Sequence, residues 1–122
     1  MILLLVCLGA ALGAPARYLT DRAIQSRHDS VFPWGTFTVN VVGSLILGVL
    51  LGLGSRYHVP AEVVAAVGTG FCGALTTYST FGFETVRLVE DGARLYALLN
   101  VIASVAAGFG AAALGFALGL AL

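Results

Sequence analysis

Gly73-Ala-Leu-Thr-Thr-Tyr-Ser-Thr-Phe81 is rich in hydroxyls and aromatic rings, yet it sits inside a hydrophobic segment that otherwise reads as a membrane span. A polar group left in lipid without a partner costs several kcal/mol. Hydroxyls concentrated in mid-span, beside a glycine able to break the helix, therefore argue that the segment lines a cavity or a conduction path instead of facing lipid. The stretch points to movement of something small across a membrane.

The rest of the chain agrees. Charged residues are scarce, lysine is absent, and glycine, alanine, leucine and valine dominate, as in a polytopic membrane protein. Four apolar segments of about twenty residues, the length that crosses the hydrocarbon core, consume nearly all of the 122 residues. The balanced formal charge offers no basic field for nucleic acid and no acidic face for a cationic partner. Cys7 and Cys72 both fall in hydrophobic segments and read as reduced, structural residues.

One membrane domain spans residues 1–122, with crossings expected at about 2–19, 33–54, 61–88 and 93–121. The first has an apolar start but no basic n-region, so it is a span and not a signal peptide. Gly9 and Gly13 give it a small-xxx-small face suited to close helix packing. A polar loop over 20–31 follows, carrying Asp21, Arg22, Arg27, His28 and Asp29. The second crossing opens at Pro33-Trp34-Gly35, with proline tolerated in a first turn and tryptophan favoured at the interface. The third opens at Pro60-Ala61-Glu62 and is longer than one straight span requires, so a break near Gly73 is expected. Glu90-Asp91-Gly92 turns the chain into the fourth. An even number of spans puts both termini on one side.

Three polar stripes remain inside these spans. Thr36, Asn40 and Ser44 recur every four residues on the second, as do Tyr96, Asn100, Ser104 and Gly108 on the fourth. Either asparagine alone could be interhelical glue, worth roughly 0.6–2 kcal/mol. Two matching stripes favour a shared polar track. The third stripe is the break region, where Tyr78 and Phe81 stand three apart with Thr77, Thr80 and Glu84 nearby. Asparagine amides and hydroxyls are donors, and an aromatic ring has a positive edge. With no arginine in mid-span, a small anion would be held by neutral donors weakly enough to leave again.

Other chemistries find little support. Gly68-Thr-Gly70-Phe-Cys-Gly73 matches G-x-G-x-x-G but follows no strand and lies within a span, so helix packing is the better reading. His28 and His58 lack partners at metal-ligand spacing. No serine sits in a nucleophile elbow, and the chain does not read as an enzyme.

Gly13-Ala-Pro-Ala-Arg17-Tyr18, Trp34-Gly35-Thr36-Phe37-Thr38-Val39-Asn40-Val41-Val42-Gly43, and Gly70-Phe-Cys-Gly73-Ala-Leu-Thr76-Thr77-Tyr78-Ser79-Thr80-Phe81 together resemble the Fluc (CrcB) family of small fluoride channels. The resemblance covers essentially the whole chain, and the third block is its most specific part. It implies an all-α integral membrane protein with four transmembrane helices per subunit and a third helix broken near its middle. It further implies an antiparallel, dual-topology dimer of two inverted copies with two pores, in the inner (plasma) membrane. The pore would use Asn40, Tyr78 and Phe81, with Thr36, Ser44, Thr77, Thr80 and Glu84 along it. Tyr96, Asn100 and Ser104 would form its fourth-span track, and Arg17 would stand at a vestibule. A structural Na+ at the dimer centre would be held by the backbone carbonyls of Gly73 and Thr76. Tyr78 departs from the family's more usual phenylalanine.

Passive export of cytoplasmic fluoride is the function this resemblance implies. Two alternatives are weighed against it. A proton-coupled antiporter of the small multidrug-resistance type needs a glutamate in the first span, and 1–19 has no acid. A subunit of a heterodimeric channel would explain why Arg17, Arg22, Arg27, Arg87 and Arg94 flank one side while Arg56 stands alone on the other.

Overall fold

The computed structural model describes residues 1–27 and 31–122, so His28 and Asp29 lie outside the described residues. It is all-helical there: α1 (Ile2–Arg27), α2 (Trp34–Arg56), α3 (Ala61–Val63), a π-helical stretch (Val64–Cys72), α4 (Gly73–Leu75), α5 (Ser79–Glu90) and α6 (Arg94–Ala121). Of these, α1, α2 and α6 are long and apolar enough to cross a bilayer. The third segment runs in pieces beside them. Leu3, Leu12, Leu98 and Phe109 are among many large apolar side chains left outward, as lipid requires.

Two boundaries differ from the sequence expectation. Helix α1 continues to Arg27, through most of the stretch expected to be a loop. Residues 20–27 contain no glycine or proline, and polarity ends a membrane span without ending a helix. The break in the third segment falls at Thr76–Tyr78 and not at Gly73, which keeps right-handed helical angles (φ −61°, ψ −38°). Thr76 is the residue that turns extended, at φ −81° and ψ 160°. Polar partners at that point, described below, open the helix where glycine's freedom goes unused.

Glycines set the layering. A β-carbon on Gly9 would strike the Ala66 carbonyl and one on Gly13 the Phe71 carbonyl, so α1 lies directly on the third segment. Gly70 answers from that segment, packing against Val6 and Gly9 of α1, which gives the glycine-rich 68–73 motif its packing role. Gly48 and Gly52 on α2 meet the carbonyls of Ala112 and Phe116, while Gly115 and Gly119 on α6 meet those of Leu45 and Val49. The paired numbers rise together, so α2 and α6 run parallel in backbone contact. Lipid supplies no hydrophobic drive between helices, and this approach yields the van der Waals packing that replaces it.

The ends are anchored separately. Phe32, Trp34 and Phe37 form a ring cluster at the entry to α2, with centroids 4.6–5.7 Å apart, fitting an aromatic anchor at the interface. At the other end of α2, Arg56 donates to the Leu120 carbonyl at 2.6 Å and so occupies a terminal acceptor of α6. Gly92, at φ 81°, makes the α5–α6 turn that an L side chain would strain.

Candidate functional site

Asn40 bridges the break. Its Oδ1 accepts the Thr77 backbone N–H at 2.7 Å and its Nδ2 donates to the Thr77 carbonyl at 3.0 Å, so one side-chain amide serves both polar groups of a residue that has left the helix. Other orphans of the break are met locally. Thr76 Oγ1 donates to the Cys72 carbonyl at 3.0 Å, and Thr77 Oγ1 accepts the Thr80 N–H at 3.2 Å. Gly43, one turn along α2 from Asn40, leaves the space that the Thr76 methyl fills. An unpaired backbone group at this depth would be costly, and Asn40, Thr76 and Thr77 remove that cost.

A groove of about 420 Å³ opens beside the break. Asn40 and Ser44 reach it from α2, Gly73, Thr76, Thr77, Tyr78 and Phe81 from the broken segment, and Ser104 and Gly108 from α6. Members of all three stripes legible in the sequence thus meet in one place. The Tyr78 and Phe81 rings lie 6.2 Å apart between centroids, tilted by 48°. Tyr78 is 86% exposed, so its ring stands off the protein surface.

Several expected site residues lie elsewhere. Tyr96 is 42% exposed and does not line the groove. Thr80 is also outside the lining; its backbone N–H, taken by Thr77 Oγ1, lies in the first turn of α5. Asn100 is buried behind the wall, taking a hydrogen bond from Ser104 and giving one to Thr85. Thr36 is buried within hydrogen-bonding reach of Glu84, with Asp21 close to the same carboxylate. Arg17 lies in a second recess, of about 520 Å³, on the Thr76–Ser79 side of the break. Buried Arg17 Nε, Asp21 Oδ1 and Glu84 Oε1 have no hydrogen-bond partner among the described residues. Thr85 is a polar residue that sequence reasoning missed, although Thr77, Phe81 and Thr85 repeat every four residues.

The groove sets a side-chain amide, hydroxyls and two aromatic rings beside an interrupted helix. Residues 4–116 match the family model described as CrcB-like protein, Camphor Resistance (CrcB). The chain belongs to the CrcB family. It is 64% identical, over 98% of its own length and 96% of the relative's, to a protein of Frankia casuarinae named fluoride-specific ion channel FluC 1. Proteins of the same name from Streptomyces avermitilis and Thermobifida fusca are 60% and 49% identical, over 92% and 96% of this chain and 90% and 94% of the relatives. The resemblance carried by the three sequence blocks is borne out over nearly the full chain. This CrcB protein is a multi-pass membrane protein, and in bacteria the membrane concerned is the plasma membrane.

Proposed function

We propose that this CrcB protein is a passive, fluoride-selective channel that drains the anion from the cytoplasm. The observation that carries the reading is the groove at the break, where the donor stripes of α2 and α6 converge on Tyr78 and Phe81, in a chain whose relatives are named fluoride-specific ion channels. Hydrogen fluoride crosses lipid as a neutral acid and dissociates in a less acidic cytoplasm, leaving an anion that lipid retains. A pore of neutral donors lets that anion run down its gradient with no coupled ion and no bond made or broken.

The functional unit in this reading is a dimer of inverted copies with two pores. The exposed Tyr78 ring and the solvent-facing Gly73 support a partner surface at the break. A structural Na+ fits the same place. In an unbroken helix Thr77 N–H would return to the Gly73 carbonyl and Thr80 N–H to that of Thr76; Asn40 takes the first donor and Thr77 Oγ1 the second. Both carbonyls are thereby released as oxygen ligands of the kind hard cations prefer. Bound there, sodium would supply a fixed positive charge between subunits.

Expression in a bacterium made fluoride-sensitive by loss of its own exporter tests the reading in cells. Growth in fluoride should return with the native chain and fail with Phe81→Ile at equal membrane abundance. No rescue by the abundant native protein would contradict it.

A further inference from the structure

Phe81 and Ser104 line the groove from α5 and α6, and a chain of hydrogen bonds joins them behind its wall. Ser104 Oγ donates to Asn100 Oδ1 at 3.2 Å, Asn100 Nδ2 donates to Thr85 Oγ1 at 2.9 Å, and Thr85 Oγ1 donates to the Phe81 carbonyl at 2.8 Å. Asn100 is only 1% exposed, so its amide is held by this chain and not by solvent. All the protons point away from the groove and toward Phe81. In this polarity Ser104 shows the groove lone pairs alone, the wrong face for an anion.

The polarity can be reversed in place. Half a turn about the terminal torsion of Asn100 exchanges Oδ1 and Nδ2, two groups of similar size, without moving the backbone. Nδ2 then donates to Ser104 Oγ. The Thr85 proton swings from the Phe81 carbonyl to Oδ1, and the Ser104 proton is freed to donate into the groove. A neutral bond from Thr85 to Phe81 is exchanged for a charge-assisted bond from Ser104 to an anion, which is the stronger of the two. The empty groove therefore favours the first polarity and an occupied one the second.

We propose that Thr85 is a positioning residue for ion passage: it terminates a reversible Ser104–Asn100–Thr85 chain that lets Ser104 offer a donor only while an anion occupies the groove. The inference rests on the reading of that groove as an anion pathway. Thr85 touches no ion. What its position needs is a group that both accepts and donates, because the two polarities ask opposite things of it.

Fluoride efflux from proteoliposomes, measured per folded protein, tests this with two substitutions. Thr85→Val keeps shape and removes the hydroxyl, and should lower flux about tenfold, the equivalent of one hydrogen bond. Thr85→Ser restores a group that both gives and takes a proton, and should return flux to within about twofold of the native rate. A second readout needs no substitution at Thr85. Asn40 and Asn100 are the only asparagines, so protein labelled with 15N-asparagine shows two side-chain amide pairs, assigned by the loss of one in Asn40→Asp. Fluoride, and not chloride, should shift the Asn100 pair. Native flux in Thr85→Val, a serine variant as impaired as the valine one, or an Asn100 amide unmoved by saturating fluoride would each overturn the proposal alone, provided the native protein conducts. Native protein that carries no fluoride would overturn the channel reading and this inference together.

Discussion

Replacing Asn40 by alanine removes both bonds that hold the third segment open. Asn40 engages the Thr77 N–H at 2.7 Å and the Thr77 carbonyl at 3.0 Å. At about 0.5–1.5 kcal/mol net for each bond, the native chain holds roughly 1–3 kcal/mol in favour of the break. In Asn40→Ala the Thr77 N–H regains its helical acceptor, the Gly73 carbonyl one turn back, and the helix can close across 76–78. At 1.4 kcal/mol per decade, the ratio of open to closed form falls by a factor of roughly 5 to 150. Flux per folded protein should fall with the open population, up to that factor when the closed helix dominates the variant, because closing the break moves Tyr78 and Phe81 away from the groove. Efflux from proteoliposomes, read with a fluoride electrode and normalised to folded protein by size exclusion, provides the measurement. Asn40→Asp separates the two roles of the side chain. Its carboxylate still accepts the Thr77 N–H and keeps the break, but it sets an acceptor against the Thr77 carbonyl and a negative charge on the groove. Flux should be lost while the folded protein persists. Asn40→Ala with flux within twofold of the native rate would refute the idea that this amide holds the pathway open.

Three further outcomes follow from the same structure. Phe81→Ile removes a polarised ring edge at similar bulk and should cut flux severely, whereas Tyr78→Phe keeps the edge and should be tolerated; normal flux per folded protein in Phe81→Ile would take Phe81 out of the pathway. Gly115→Ala would drive a methyl into the Leu45 carbonyl, and at about 1–3 kcal/mol for overpacking it should lower the melting temperature in detergent, while Gly110→Ala meets nothing within 4 Å and should leave it unchanged. Replacing sodium by a large organic cation should lower the melting temperature of the native protein and change that of Asn40→Ala less, since closing the break reoccupies the Gly73 carbonyl; equal sodium dependence in both would argue against ligands at Gly73.

Much of the fold was legible because lipid makes few demands and makes them strictly. Long apolar runs separated by arginine, proline and Glu90-Asp91-Gly92 announced the spans, and glycines at four-residue spacing announced α1 packing. The exact break was not legible. Glycine is the residue expected to interrupt a helix, but the interruption falls at Thr76 because Asn40, distant in sequence, supplies partners for Thr77. A contact between spans leaves no local signal at either residue. The same limit applies to the polar stripes. Their period placed Asn40, Ser44 and Ser104 on the groove, but it could not say that Asn100 would be spent on Thr85 and Ser104, nor that Tyr96 would fall outside. The extension of α1 was missed for a different reason: hydropathy reports the end of the membrane, and the backbone has no cause to unwind there.

The central claim is that this groove passes fluoride and rejects chloride without an energy source. Purified protein in liposomes loaded with potassium fluoride or potassium chloride, with valinomycin to relieve the voltage, tests it in a single recording. The account predicts rapid fluoride efflux, negligible chloride efflux, and no requirement for a proton or sodium gradient. Chloride leaving as fast as fluoride, or fluoride movement that stops when a proton gradient is collapsed, would contradict it.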